Sequence, residues 1–96
     1  MTTITLTSRW FERTLKLRVK KETARLLTER NEDGPLGMER VRDDLERYNI
    51  WKALGKRGKC NLRYLKVNQC RRILSFFAED DCNYFDKVEL ELIEED

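Results

Sequence analysis

The chain has 96 residues, of which 40% are hydrophobic and 40% charged, with a formal net charge of +2. That length makes a single domain, residues 1–96, with one modest core that buries roughly 60–65% of the unfolded surface. No uninterrupted apolar stretch approaches the ~20 residues of a membrane-spanning helix, and the lack of histidine removes the commonest general base and metal ligand.

The first residues, MTTITLTSRW, have neither the basic start nor the apolar stretch of a secretory signal. The cysteines, Cys60, Cys70 and Cys82, are odd in number. Reduced thiols in a cytoplasmic protein are the expectation from both features.

Along the chain, Ile4 and Leu6 alternate with threonines as a strand does. Phe11, Leu15, Leu17 and Val19 then alternate with Glu12, Thr14, Lys16, Arg18 and Lys20. The apolar positions pass from even to odd numbers near Ser8–Trp10, which requires a bulge or a short hairpin turn. Lys21 to Asn31 reads as a short helix with Ala24, Leu26 and Leu27 on one side. Asn31 to Gly37 holds the sole proline and two glycines and reads as a loop. Met38 to about Leu54 is the main helix, with Met38, Val41, Leu45 and Tyr48 at helical spacing. After Asn49 the phase shifts, and Ile50, Trp51 and Leu54 continue on a rotated face, as a bend or a second helix would. Gly55-Lys-Arg-Gly58 stops it.

Val67 to Glu79 is a further helix with an apolar stripe of Cys70, Ile73, Leu74 and Phe77, and Asn68 is a candidate N-cap. Asp80 to Asn83 is a turn. Phe85 to Ile93 closes the chain as a strand, with Val88, Leu90 and Leu92 alternating with Glu89 and Glu91. The expected fold is α+β: a small antiparallel sheet built from N-terminal and C-terminal strands, covered on one face by about three helices. Opposite charges favour pairing the ends, because Lys16, Arg18 and Lys20 would face Glu89 and Glu91 across neighbouring strands.

Charge is sorted into blocks. Residues 9–30 hold eight basic and three acidic groups, and residues 31–46 hold two basic and six acidic. Residues 47–72 hold nine basic groups and no acid, and residues 73–96 one basic and nine acidic. The acid-free run comprises Arg47, Lys52, Lys56, Arg57, Lys59, Arg63, Lys66, Arg71 and Arg72, with Trp51 and Tyr64 among them. Cations neutralise phosphates and release counterions, and aromatic faces stack on bases. The run therefore points to nucleic acid or to the acidic face of a nucleic-acid-handling complex. The competing reading is a solvated face, neutralised in the fold by the neighbouring acidic blocks, above all the acids of residues 31–46.

No motif of catalysis emerges. The cysteines lack metal-ligand spacing, and Cys70 belongs to the core stripe. Cys60 sits in GKRGKC, whose cations would lower its pKa, but it has no base beside it. Gly55 to Lys59 lacks phosphate-loop spacing and does not follow a strand. The adjacent carboxylates Asp43 and Asp44, and Asp80 and Asp81, define no acid–base pair. A helix-turn-helix would need a connection shorter than that from Leu54 to Val67. No catalytic residue, metal or cofactor is expected.

The stretch Asn61-Leu-Arg-Tyr-Leu-Lys-Val-Asn-Gln-Cys70 resembles the start of a helix in some phage recombination proteins, with Lys66 where that pattern has Thr or Ser. Short, highly charged α+β chains without catalytic motifs look like phage or mobile-element accessory proteins, among them anti-CRISPR inhibitors of host defence. The leading expectation is a non-enzymatic binding protein that docks through residues 47–72. The alternatives are a protein–protein inhibitor of a host nucleoprotein machine, using the acidic blocks as well, and a structural homodimer joined through an edge strand.

Overall fold

The computed structural model describes residues 1–8, 12–78 and 90–95. Strand β1 (Thr2–Ser8) pairs antiparallel with β2 (Arg13–Val19), from Thr2↔Val19 to Ser8↔Arg13. The even-to-odd change is thus a hairpin: Ser8 lies opposite Arg13, so even positions of β1 share a face with odd positions of β2. Helix α1 (Lys21–Thr28) follows, ending earlier than the expected Asn31. The next residues instead form a small ladder, β3 (Arg30–Asn31) with β4 (Gly34–Pro35), whose turn is held by the Asp33 N–H donating to Asn31 Oδ1 at 2.9 Å. Helix α2 (Gly37–Ala53) is one continuous helix, and α3 (Val67–Ala78) is the third. Strand β5 (Leu90–Glu95) returns antiparallel to the other side of β1, giving the order β2-β1-β5.

The fold is α+β as the alternation implied, but the two outer strands are not the neighbours that the charge pattern suggested. β1 lies between β2 and β5, so Lys16 and Arg18 face Thr5 and Thr3, and Glu91 faces Thr7. Cations and acids of the two outer strands are therefore two strand spacings apart, roughly 10 Å. Lys20 lies outside any strand, and Glu89 lies outside the described residues. Apolar pairing through the central strand sets the order: Leu15–Leu6–Leu92 run across the inner face, and Leu17 lies opposite Ile4. Trp10, Tyr84, Cys82 and the expected turn at Asp80–Asn83 also lie outside the described residues.

The core lies between this face and the helices. It contains Ile4, Leu6, Leu17 and Val19 from the sheet, Ala24 and Leu27 from α1, Val41, Leu45 and Tyr48 from α2, and Cys70, Ile73 and Phe77 from α3. Helix α3 also covers the outer edge of β2. Gln69 Nε2 donates to the Arg18 carbonyl at 2.7 Å, and Arg72 Nη2 to the Lys16 carbonyl at 3.1 Å. Acceptors that a second strand would use are thereby occupied, which argues against dimerisation along this edge.

Two glycines mark the ends of α2. A Cβ on Gly37 would collide with the Leu27 carbonyl and the Leu92 side chain, so α1, α2 and β5 meet there at backbone contact. At the other end Gly55, with φ +77°, takes the left-handed position of a Schellman cap. Its N–H donates to the Lys52 carbonyl and the Lys56 N–H to the Trp51 carbonyl, both at 3.0 Å.

One buried polar group ties the helices together. Asp44 has no exposed surface. Its Oδ1 accepts from the Arg63 N–H at 3.0 Å, and its Oδ2 from the Tyr64 N–H at 2.8 Å and the Leu65 N–H at 2.7 Å. Arg47 Nη1 adds a fourth bond to Oδ1 at 3.3 Å. A buried carboxylate is tolerable only with such compensation, and here the chain supplies it from three consecutive amides. The first turn of α3 continues the arrangement. Lys66 precedes the helix and its N–H donates to Gln69 Oε1 at 2.8 Å, half of a capping box. Asn68, the sequence candidate for the cap, is instead an exposed residue inside the first turn.

Three measurements test this account. Asp44→Ala should lose about 3–5 kcal/mol of unfolding free energy, because three backbone N–H groups, that of Leu65 buried, and Arg47 lose their acceptor, whereas Asp43→Ala should stay within about 0.5 kcal/mol; urea unfolding distinguishes them. Gly37→Ala, which meets backbone, should cost more than the roughly 1 kcal/mol expected of Gly55→Ala, which meets only a disfavoured φ. Cys70, fully buried, has its thiol pushed up to about 12, first by burial and then by the Asp44 and Cys60 charges. The unfolded thiol ionises near its ordinary value of 9.0 while the folded one keeps its proton, so from pH 9 to 12 the unfolded state binds fewer protons. Stability should therefore fall with rising pH by up to about 1.4 kcal/mol per unit across that window. That slope should be shallower in Cys70→Ala.

Candidate functional site

The acid-free run begins in the last turns of α2, passes through the connection from Leu54 to Lys66 and ends in α3. Its placement follows from the two anchors already described. The Schellman cap turns the chain out of α2, and Trp51 Nε1 holds the turn by donating to the Gly58 carbonyl at 3.1 Å. Asp44 then seizes residues 63–65, so the intervening loop lies close to the end of α2.

The nine cations do not gather in a single groove. Arg47, Arg57 and Lys59 line a shallow groove of about 320 Å³ with Ile50, Trp51, Leu54, Cys60 and Asn61. Arg63 and Lys66 instead line a smaller cleft of about 170 Å³ at the junction of β2 and α1, which they share with Lys20. Lys52 and Lys56 are exposed at the end of α2 and line neither. Arg71 folds back to Tyr48, its Nε donating to the hydroxyl at 3.2 Å, and Arg72 folds onto the edge of β2.

The acids of residues 31–46 do not cover this surface. Arg47 is ion-paired with Asp44, but among the described residues Lys52, Lys56, Arg57, Lys59, Arg63 and Lys66 have no acidic partner for their side chains. Of those acids, Glu32, Asp33, Glu39, Asp43 and Glu46 are exposed. Arg40, which belongs to the acidic block, reaches back to Glu29 at 3.0 Å. Exposed cations without partners keep their field outside the molecule, where it can steer an anionic ligand.

The aromatic residues of the run are more committed than the sequence suggested. Tyr64 is half-buried and the Arg40 guanidinium lies 5.5 Å from its ring centroid, so a cation already occupies one face. Trp51 is half-buried, tilted against Tyr48 at 5.8 Å, with its indole N–H used within the loop. What the groove does present is aliphatic. Ile50 and Leu54, one helical turn apart, are 61% and 65% exposed. The phase shift after Asn49 was the sequence signal for them: it carries the apolar stripe out of the core and onto the surface.

Two sequence expectations change. Cys60 was placed among cations that would lower its pKa; desolvation, and after it the negative charge of Asp44, push the thiol up instead. A reactive thiolate is thus disfavoured there. Asp44, read from sequence as one of two adjacent acids, is the residue that shapes the site. Its spacing from Val41 and Tyr48 places it on the buried stripe of α2, and that spacing was legible. Among the described residues, no three histidine, cysteine or acidic side chains come together as metal ligands, and no helix is long and apolar enough to cross a membrane.

The site is defined by physical features alone: no protein-family model, curated protein or solved structure matches the chain.

Proposed function

We propose that this is a non-enzymatic binding protein whose cationic surface, centred on the end of α2 and the connection to α3, docks on a polyanion: a nucleic acid, or the acidic face of a complex that handles one. The supporting observation is that Lys52, Lys56, Arg57, Lys59, Arg63 and Lys66 are exposed and lack acidic partners among the described residues. Compensation by the acids of residues 31–46 would have spent these groups on that block.

A second reading, a protein antagonist of a nucleoprotein machine, is favoured by Ile50 and Leu54. Phosphate does not reward exposed aliphatic surface, and a protein partner does. Both readings share the cations and differ in what covers the two aliphatics.

Fluorescence anisotropy with duplex DNA, single-stranded DNA, RNA and polyglutamate tests the shared part. If about five cations meet phosphates, affinity for nucleic acid should fall roughly 10²–10³-fold between 50 and 200 mM salt. Reversing Lys56, Arg57 and Lys59 to glutamate should make the logarithmic slope shallower by about one per cation that made contact. Absence of salt-dependent affinity for every one of these polyanions at low salt would refute the proposal.

A further inference from the structure

The groove at the end of α2 has a more specific character than a cationic surface, and its occupant can be narrowed on the assumption that the binding function proposed above holds. It is lined by Ile50, Trp51 and Leu54 together with the cations Arg47, Arg57 and Lys59, and by Cys60 and Asn61. No acidic side chain lines it. Ile50 in the last turn of α2 and Leu54, its C-cap residue, are both exposed, so one ligand can cover both. Arg47 is ion-paired with Asp44 at 3.3 Å, while Arg57 and Lys59 are without acidic partners among the described residues.

We infer that this groove binds a short acidic polypeptide segment of another protein. An aliphatic or aromatic side chain of that segment would sit across Ile50 and Leu54, and its carboxylates would meet Arg57 and Lys59. Charge complementarity and apolar surface point to the same ligand class. A phosphodiester chain satisfies the cations and leaves the aliphatics wet, and the aromatics that would stack its bases are partly engaged, Tyr64 by Arg40 over one face and Trp51 half-buried against Tyr48. An uncharged apolar peptide satisfies the aliphatics and leaves the cations unpaired. An acidic segment with an apolar anchor satisfies both, with the dry centre and charged rim usual for an interface.

The test is selection of the intact protein against a display library of random peptides about twelve residues long, followed by anisotropy on the enriched peptides and on oligo(dT). Enriched peptides should place Asp or Glu around a Leu, Ile, Phe or Trp. The double variant Ile50→Ser/Leu54→Ser should bind them about tenfold or more weakly, with oligo(dT) affinity and melting temperature unchanged. Arg57→Glu/Lys59→Glu should weaken the peptides to a similar extent. The inference is overturned if no acidic–apolar pattern is enriched, or if the serine variant binds the peptides as the parent does. It is overturned in favour of nucleic acid if the serine variant weakens oligo(dT) binding instead. A concentration-dependent dimer that the serine variant abolishes would make a second copy the occupant, and a lowered melting temperature would mean that the chain covers the groove itself; either overturns it. Failure here alongside salt-dependent binding of oligo(dT) or polyglutamate leaves the broader polyanion reading standing, whereas loss of all binding removes both.

Discussion

The carboxylate of Asp44 is the constraint on which the rest of the molecule depends. A charge buried in a small core is costly, and it is retained only where donors surround it. In this chain those donors are three successive backbone amides, residues 63–65, with Arg47 alongside. One side chain on α2 thereby fixes the path of a long connection and the starting point of α3. Without it the loop that carries Lys56, Arg57 and Lys59 would be held by the Trp51–Gly58 bond and by the packing of Cys60 and Leu62 against the core.

From that anchor the two grooves follow. The Schellman cap sends the chain away from α2, and Asp44 draws it back, so that cations adjacent in sequence part company. Arg57 and Lys59 stay beside the end of α2, while Arg63 and Lys66 pass to the junction of β2 and α1. Helix α3 then uses its own polar side chains inwardly. Gln69 caps its first turn and bonds the edge of β2, Arg71 bonds Tyr48 and Arg72 bonds the Lys16 carbonyl. These bonds clamp α3 to the sheet and to α2.

Hydrophobic phase governs both the core and the exposed patch. Val41, Leu45 and Tyr48 keep helical spacing and are buried. The residue Asn49 interrupts the pattern, and because α2 continues straight through it, Ile50 and Leu54 emerge on the far side in solvent. The continuous helix is therefore the reason that a cation-lined apolar groove exists at all.

The sequence by itself determined the α+β class, the apolar faces of strands and helices, the stop at Gly55 and the clustering of cations, because period, turn residues and charge are local properties of a chain. It did not determine the strand order. Opposite charges suggested that β2 and β5 touch, but apolar contact through Leu6 put β1 between them, and burial outweighs exposed charge pairing. Asp44 lay on a recognisable buried stripe, yet its three donors are 19 to 21 residues away, a distance that no local pattern spans. Whether the cations faced solvent or the acids of residues 31–46 was likewise a question of three-dimensional distance, and only the tertiary structure decided it.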